Sequence, residues 1–193
     1  MINRQEYYEM SVMHRNSHKC GGYPFENGEF LTQISDELQA SKVLEIGTAV
    51  GYSAYCFAIA NDNIQVDSID MMVDHKETAE INWARYGINN RVKCLVGKST
   101  EVVSTLVTKN KRYDIIFFDG FSPIPEEIDH YISLLNPKGL LITTNLELAS
   151  EINRVDEYLE KLSVTNMVTV NFGDTAFSSQ DADVLEKCKL LWS

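Results

Sequence analysis

The run Val43-Leu44-Glu45-Ile46-Gly47-Thr48-Ala49-Val50-Gly51-Tyr52-Ser53-Ala54 constrains the fold more than any other stretch of this chain. An apolar strand meets a glycine turn and then the first turn of a helix. Such a unit brings bare backbone and the positive end of a helix close to a ligand. A dinucleotide site carries three glycines as G-x-G-x-x-G, so that a pyrophosphate can lie on the backbone. Only Gly47 and Gly51 stand here, and Glu45 would repel a pyrophosphate. The loop therefore suits a ligand with a carboxylate and cationic groups, and it disfavours a nicotinamide-dependent oxidoreductase.

Apolar β-rich runs alternate with amphipathic segments along most of the chain. Strands are predicted at Lys42–Ile46, Gln65–Ile69, Val92–Val96, Asp114–Phe118 and Leu140–Thr143. Helical patterns cover Glu29–Ala40, Tyr52–Ala60, His75–Tyr86, Thr100–Lys109 and Pro125–Leu135, with Asn136-Pro137-Lys138-Gly139 as the break before the fifth strand. This alternation predicts a parallel sheet covered by helices on both faces. The tail differs: Leu148–Leu162 reads as helix, and Val164–Phe172 and Val184–Trp192 read as two strands. The linker Gly173–Asp183 is too short and polar for a crossover helix, so those strands are expected to pair antiparallel. The reading is one domain over residues 1–193, with a helical cap segment (1–40) and a Rossmann-like core (41–193). Met10, Met13, Tyr7, Tyr8 and Tyr23 would let the first 28 residues fold as a cap over the mouth.

Leu44-Glu45-Ile46-Gly47-Thr48, then Gly51-Tyr52-Ser53-Ala54, resembles the first motif of the class I methyltransferases, and within them the catechol/caffeoyl-CoA O-methyltransferase group. The resemblance runs from about Gly28 to the C-terminus. It implies a doubly wound, mostly parallel seven-stranded sheet ending in an antiparallel pair, with S-adenosylmethionine as cofactor. That molecule carries a carboxylate, an ammonium and a sulfonium, in accord with the loop. Asp70 follows the second strand near the offset of about 20 residues at which an acid meets ribose hydroxyls. Its competitor Asp67 falls inside the strand by alternation. Met71 is placed to cover the adenine. Gly97-Lys98-Ser99-Thr100 resembles the adenine-edge contact, although Ser99 also suits a helix N-cap. Ser53 resembles the residue that binds the cofactor's carboxylate. Asp119 ends a buried apolar strand, where an unpaired carboxylate is costly, whereas Asp114 reads as a solvated cap. The implied cofactor set is Glu45, Gly47, Thr48, Gly51, Tyr52, Ser53, Asp70, Met71, Gly97, Ser99, Thr100 and Asp119, with Asp119 also catalytic.

One piece departs from that family's pattern. Metal-dependent members hold Mg²⁺ with an Asp after the fourth strand and an Asp-Asn pair after the fifth, and a Lys three residues beyond the first Asp assists as base. Here Asp119 is present, the pair reads Thr144-Asn145, and the Lys position is Ser122. The candidate Mg²⁺ ligands are thus Asp119 and Asn145, with one carboxylate fewer to hold the ion. His14 and His18 are candidate replacement bases, while His75 reads as structural and His130 as solvent-facing. Phe118-Asp119-Gly120-Phe121-Ser122-Pro123 also resembles the Asp-Gly-Phe-x-Pro motif of bacterial methyltransferases acting on aminomethyl-uridine in tRNA. Three functions follow: an O-methyltransferase for a small, aromatic hydroxyl acceptor, an N-methyltransferase, or a non-catalytic S-adenosylmethionine binder. The net charge of −11 opposes nucleic acid and anionic membrane as partners. Scattered cysteines and the absence of an apolar leader point to the cytoplasm, and the resemblance allows a homodimer.

Overall fold

The computed structural model describes residues 4–18, 24–147 and 154–192. Helices α1 (Arg4–His18) and α2 (Gly28–Glu37) precede strand β1 (Lys42–Ile46). Then come α3 (Tyr52–Ala58), β2 (Gln65–Asp70), α4 (Val73–Arg85), β3 (Val92–Val96), α5 (Ser99–Thr108) and β4 (Tyr113–Phe118). A 3₁₀ turn (Pro125–Glu127) leads into α6 (Ile128–Leu134) and β5 (Leu135–Thr143). The chain ends with α7 (Val155–Ser163), β6 (Val168–Phe172), β7 (Thr175–Ser179) and α8 (Ala182–Leu191).

The strands form one seven-stranded sheet in the order β3-β2-β1-β4-β5-β7-β6. Strands β1 to β5 pair in parallel, and β7 runs antiparallel to both β5 and β6. The expected sheet is therefore present. Strand alternation divides its apolar residues between two cores. Val43, Val66, Ile115, Phe117, Ile142 and Phe177 meet α1, α2, α3, α4 and α8 on one face. Leu44, Ile46, Ile69, Ile116, Phe118 and Leu141 meet α5, α6 and α7 on the other. Both faces are covered, which is why the central strands read as continuous apolar runs. The chain winds one way from β1 to β3, then the other way from β4, so β1 and β4 flank the point where strand order reverses. Ligand clefts open there, beyond the carboxyl ends of the strands.

Two tail and edge expectations need correction. The last strand is Thr175–Ser179, closed against β6 by a two-residue turn at Gly173 and Asp174, with Gly173 at φ +61°. Residues expected as the strand Val184–Trp192 instead form α8. Val184, Leu185 and Cys188 are its buried side chains, a helical spacing, and Asp181 caps it by accepting from the Asp183 N–H. Strand β5 also begins earlier than Leu140. Leu135 pairs with Tyr113 and Leu140 with Ile115, so Asn136–Gly139 loop out opposite Asp114. Asp114 is more than a solvated cap: it accepts from the Ser41 and Lys42 N–H groups and from Asn136 Nδ2, tying β1, β4 and β5 together. The expected helix over Leu148–Leu162 is described only from residue 154, and Tyr23 of the cap lies outside the described residues.

Helix α1 is fastened to the glycine loop through one side chain. Tyr7 is fully buried among Tyr52, Tyr55 and Tyr86, and its hydroxyl donates to the Val50 carbonyl at 2.6 Å. Tyr7→Phe keeps the ring packing and removes that bond. Because Asn82 Nδ2 still donates to Val50 O at 3.0 Å, the loss should be about 1 kcal/mol. Thermal melting should fall by about 2–4 °C in a chain of this size; an unchanged melting temperature would remove the anchor role.

Candidate active site

A cleft of about 720 Å³ opens beyond the carboxyl ends of β1, β2, β3 and β4, within the size range of small-molecule sites. Backbone hydrogen bonds extend the sheet past its strands and set the cleft floor. Gly47 N–H donates to Ile69 O, Asp119 N–H to Ile46 O, and Thr144 N–H to Phe118 O, all within 2.8–3.0 Å. At Gly47 (φ +103°) a Cβ would lie 2.5 Å from the Asp119 carbonyl, so the two strand ends approach as closely as they do only because the residue is glycine.

Most of the residues picked from sequence share this cleft. Gly47, Thr48, Tyr52, Ser53, Asp70, Met71, Gly97, Ser99, Thr100, Asp119 and Asn145 all line it. Glu45 and Gly51 do not. Glu45 is fully buried in β1, where it accepts from Ser53 Oγ at 2.5 Å and from Ser68 Oγ. Burial pushes its carboxyl up to about 8 against the pull of those two hydroxyls, with the Asp119 and Asp70 charges adding to the rise. Because it lies beneath the cleft and does not line it, the repulsion of a pyrophosphate expected from the sequence is weakened. It touches the cleft only indirectly, through Ser53 on one side and through Ser68 and Thr48 on the other, the last two 2.6 Å apart. Gly51 (φ +84°) is the N-cap of α3 and is pressed against Trp83, whose indole N–H donates to Gly51 O at 3.0 Å. A side chain at this position would collide with Trp83.

Asp70 closes β2 in a crowded setting. Its Oδ2 accepts from the Thr48 and Ala49 N–H groups and meets His75 Nδ1 at 3.0 Å, while among the described residues Oδ1 accepts from Met72 N–H alone, at 2.8 Å. Burial works against its charge, yet the bonds from His75, Met72 and Ala49 outweigh it and hold the carboxyl below the usual range. Oδ1 is the oxygen with room for a further donor. Asp67, the rejected competitor, lies inside the sheet and accepts from Tyr113 Oη at 2.8 Å. His75, expected as a structural residue, holds Asp70 and also lines the cleft, with the His14 ring 6.0 Å away. The signal was local, a histidine five residues past the strand-end acid in the first turn of a helix. Ser11 and His14 bring α1 to the cleft wall, and the His18 side chain lies outside the described residues. Ser99 does not cap α5. Lys98 holds that position, and Ser99 Oγ donates to the buried Glu127 at 3.3 Å.

Asp119 stands at the end of β4, half-buried. Its Oδ1 accepts from Thr144 Oγ at 2.7 Å and from Asn145 Nδ2 at 3.2 Å. Burial nonetheless pushes it up to about 7, assisted by the charge of Asp174. Phe121, 78% exposed, with Met71 and Met72 gives the rim an apolar, aromatic character. Lys98 and Arg154 also line the cleft but were not singled out in the sequence. Arg154 is bound to Glu126 at 2.6 Å and to Glu157.

The model of the O-methyltransferase family matches residues 7–175. The chain belongs to the O-methyltransferase family. Among relatives, catechol O-methyltransferase of Mycobacterium tuberculosis is 33% identical over 96 residues, covering 49% of this chain and 43% of that protein. Catechol O-methyltransferase of Niastella koreensis is 29% identical over 120 residues, covering 61% and 54%. The chain thus spans about half the length of these relatives. An O-methyltransferase from Bacillus cereus, solved in complex with SAH, superposes with a TM-score of 0.77 at 18% identity, covering 92% of this chain and 91% of that one. TomG from Streptomyces achromogenes, solved with SAM, gives 0.76 at 20% identity, covering 90% and 89%. At these identities the likeness is one of fold. Among the described residues of this family member, no helix is long and apolar enough to cross a membrane.

Proposed function

We propose that the chain transfers a methyl group from S-adenosylmethionine to the hydroxyl of a small, aromatic acceptor. The observation that carries this reading is the meeting of the Gly47 turn, Asp70 and Asp119 around one cleft at the strand-order reversal of an O-methyltransferase-family sheet. The cofactor supplies an electrophilic methyl carbon on a sulfonium. Asp70 Oδ1 would accept from the ribose, Gly97, Ser99, Thr100 and Met71 would border the adenine, and Ser53 and Asp119 would take the amino-acid end. Asp119 also faces the cleft, which makes it the candidate to receive the acceptor's hydroxyl proton. Phe121 and the rim methionines favour a planar, apolar acceptor. The names of the two bacterial relatives support a catechol-like ring. The acidic chain opposes an RNA acceptor, so the tRNA-type N-methylation is the weaker reading. Among the described residues Cys56, Cys94 and Cys188 are buried and free, which fits a reducing cytoplasm, and light scattering would test a homodimer.

Calorimetric titration with S-adenosylhomocysteine tests the binding half. A single site should appear, and Asp70→Ala should weaken it at least tenfold, about 1.4 kcal/mol. Turnover of catechol-type phenols tests the chemistry. No heat with either S-adenosylmethionine or S-adenosylhomocysteine would end this proposal, and binding without turnover on phenols or amines would leave a non-catalytic binder.

A further inference from the structure

Asp119, Thr144 and Asn145 come together where β4 and β5 end, and their hydrogens decide what that corner can hold. Thr144 has one hydroxyl hydrogen and two acceptors in reach, Asp119 Oδ1 at 2.7 Å and Phe118 O at 3.2 Å. The shorter, charge-assisted contact takes it. Asn145 has two amide hydrogens, and both are spent, one on Asp119 Oδ1 and one on Gly120 O at 2.7 Å. Turning the amide over would press its carbonyl oxygen against the Gly120 carbonyl at that distance, two acceptors with no hydrogen between them. The amide orientation is thereby fixed by the main chain. A cation at Asp119 Oδ1 would face hydrogens from both neighbours. What remains is Asp119 Oδ2 and the Asn145 amide oxygen, with one formal charge between them. Asp174, whose charge also acts on Asp119, accepts from the Glu147 N–H. Among the described residues no group of three or more His, Cys, Asp and Glu side chains could hold a metal ion. Mg²⁺ normally draws on one or two carboxylates with ligand oxygens and waters. One carboxylate with a single free oxygen is the lower limit of that range and too little for a resident cation, in contrast to the Asp119–Asn145 pair expected from the sequence.

We propose that Asp119 works as a hydrogen-bonded carboxylate without a divalent cation, and that Thr144 is the residue that makes it so. The corner then reads the ligand by hydrogen bonding and charge alone. This inference rests on the methyltransferase reading only for the ligand used in its test.

The test is a Mn²⁺ titration followed by the paramagnetic resonance of the free ion, on the full chain with saturating S-adenosylhomocysteine, beside calorimetry of that ligand in Mg²⁺ and in EDTA. The wild-type protein should leave the free-ion signal undiminished at stoichiometric Mn²⁺, and the ligand affinity should agree within twofold in the two buffers. Thr144→Asp places a second carboxylate against Asp119 and should bring Mn²⁺ binding at least tenfold tighter than wild type. Stoichiometric removal of Mn²⁺ by the wild type, abolished in Asp119→Asn, would overturn the proposal. A folded, ligand-binding Thr144→Asp protein that gains no Mn²⁺ affinity would overturn the role of Thr144. Should that variant not fold, since position 144 is buried, the wild-type titration decides alone. Absence of ligand heat in the wild type would count against the methyltransferase reading while leaving the Mn²⁺ result readable.

Discussion

Gly47→Ala should cost about 3 kcal/mol or more of stability and lower affinity for S-adenosylhomocysteine by more than 100-fold in whatever protein still folds. Two separate penalties add. The first is conformational, since φ +103° is a region that residues with a Cβ rarely occupy. The second is a collision of main chain with side chain: the new Cβ would lie 2.5 Å from the Asp119 carbonyl oxygen and 2.9 Å from its carbon. Neither strand end can retreat cheaply, because Gly47 N–H is bound to Ile69 O and Asp119 N–H to Ile46 O. Relief would come from parting β1 and β4, which is where the cleft floor lies. Gly87→Ala separates the two penalties, because Gly87 sits at φ +70° with nothing within 4 Å of the added carbon. That variant should lose only about 1 kcal/mol and bind ligand normally. Chemical denaturation of both variants, with calorimetry on each, measures the difference. Equal losses in the two would show that the close approach at Gly47 is not what shapes the site.

The same glycine shows what could be read from the sequence. A strand, a glycine and a helix start in that order are local facts, and local facts were legible. The five parallel strands follow from short β-branched runs between amphipathic segments, and Asp70 and Asp119 follow from acids that end such runs. What the sequence does not show is set by partners distant along the chain. Glu45, expected among the cofactor contacts, has one residue of strand beyond it, and Ser68 on the neighbouring strand takes its second oxygen. What the sequence could not show at Gly51 is its contact with Trp83, which lies 32 residues away. The segment Val184–Trp192 carries apolar residues compatible with either period, and only the packing of Val184, Leu185 and Cys188 against one core settles it as a helix. The orientation of the Asn145 amide depends on the Gly120 carbonyl, a relation that no spacing rule contains.

Glu45 also carries the second large effect, on pH dependence. Its carboxyl is raised in the folded chain, by burial first, from 4.5 to about 8. The folded protein therefore binds a proton that the unfolded chain has released, and stability must fall as pH rises. The contribution is fully present below about pH 4.5 and lost progressively until about pH 8, at a limiting rate of about 1.4 kcal/mol per pH unit. Asp119, raised in the same way to about 7, adds a loss of the same sign across its own window of about 3.8 to 7. Glu45→Gln keeps the shape and the capacity to bond Ser53 and Ser68, whose hydroxyls rotate to suit, and it removes the titration. The variant should be as stable as wild type near pH 4.5 and more stable at pH 8. There a gain of several kcal/mol would raise the melting temperature by roughly 2–4 °C for each kcal/mol. Above pH 4.5 the variant should keep the shallower slope that belongs to Asp119 and to Glu127, whose carboxyl burial also raises. Melting curves at half-unit steps from pH 4.5 to 9 would follow both proteins. Parallel profiles, or a variant weaker than wild type at pH 8, would mean that Glu45 is ionised in the folded chain and that Ser53 and Ser68 carry its charge.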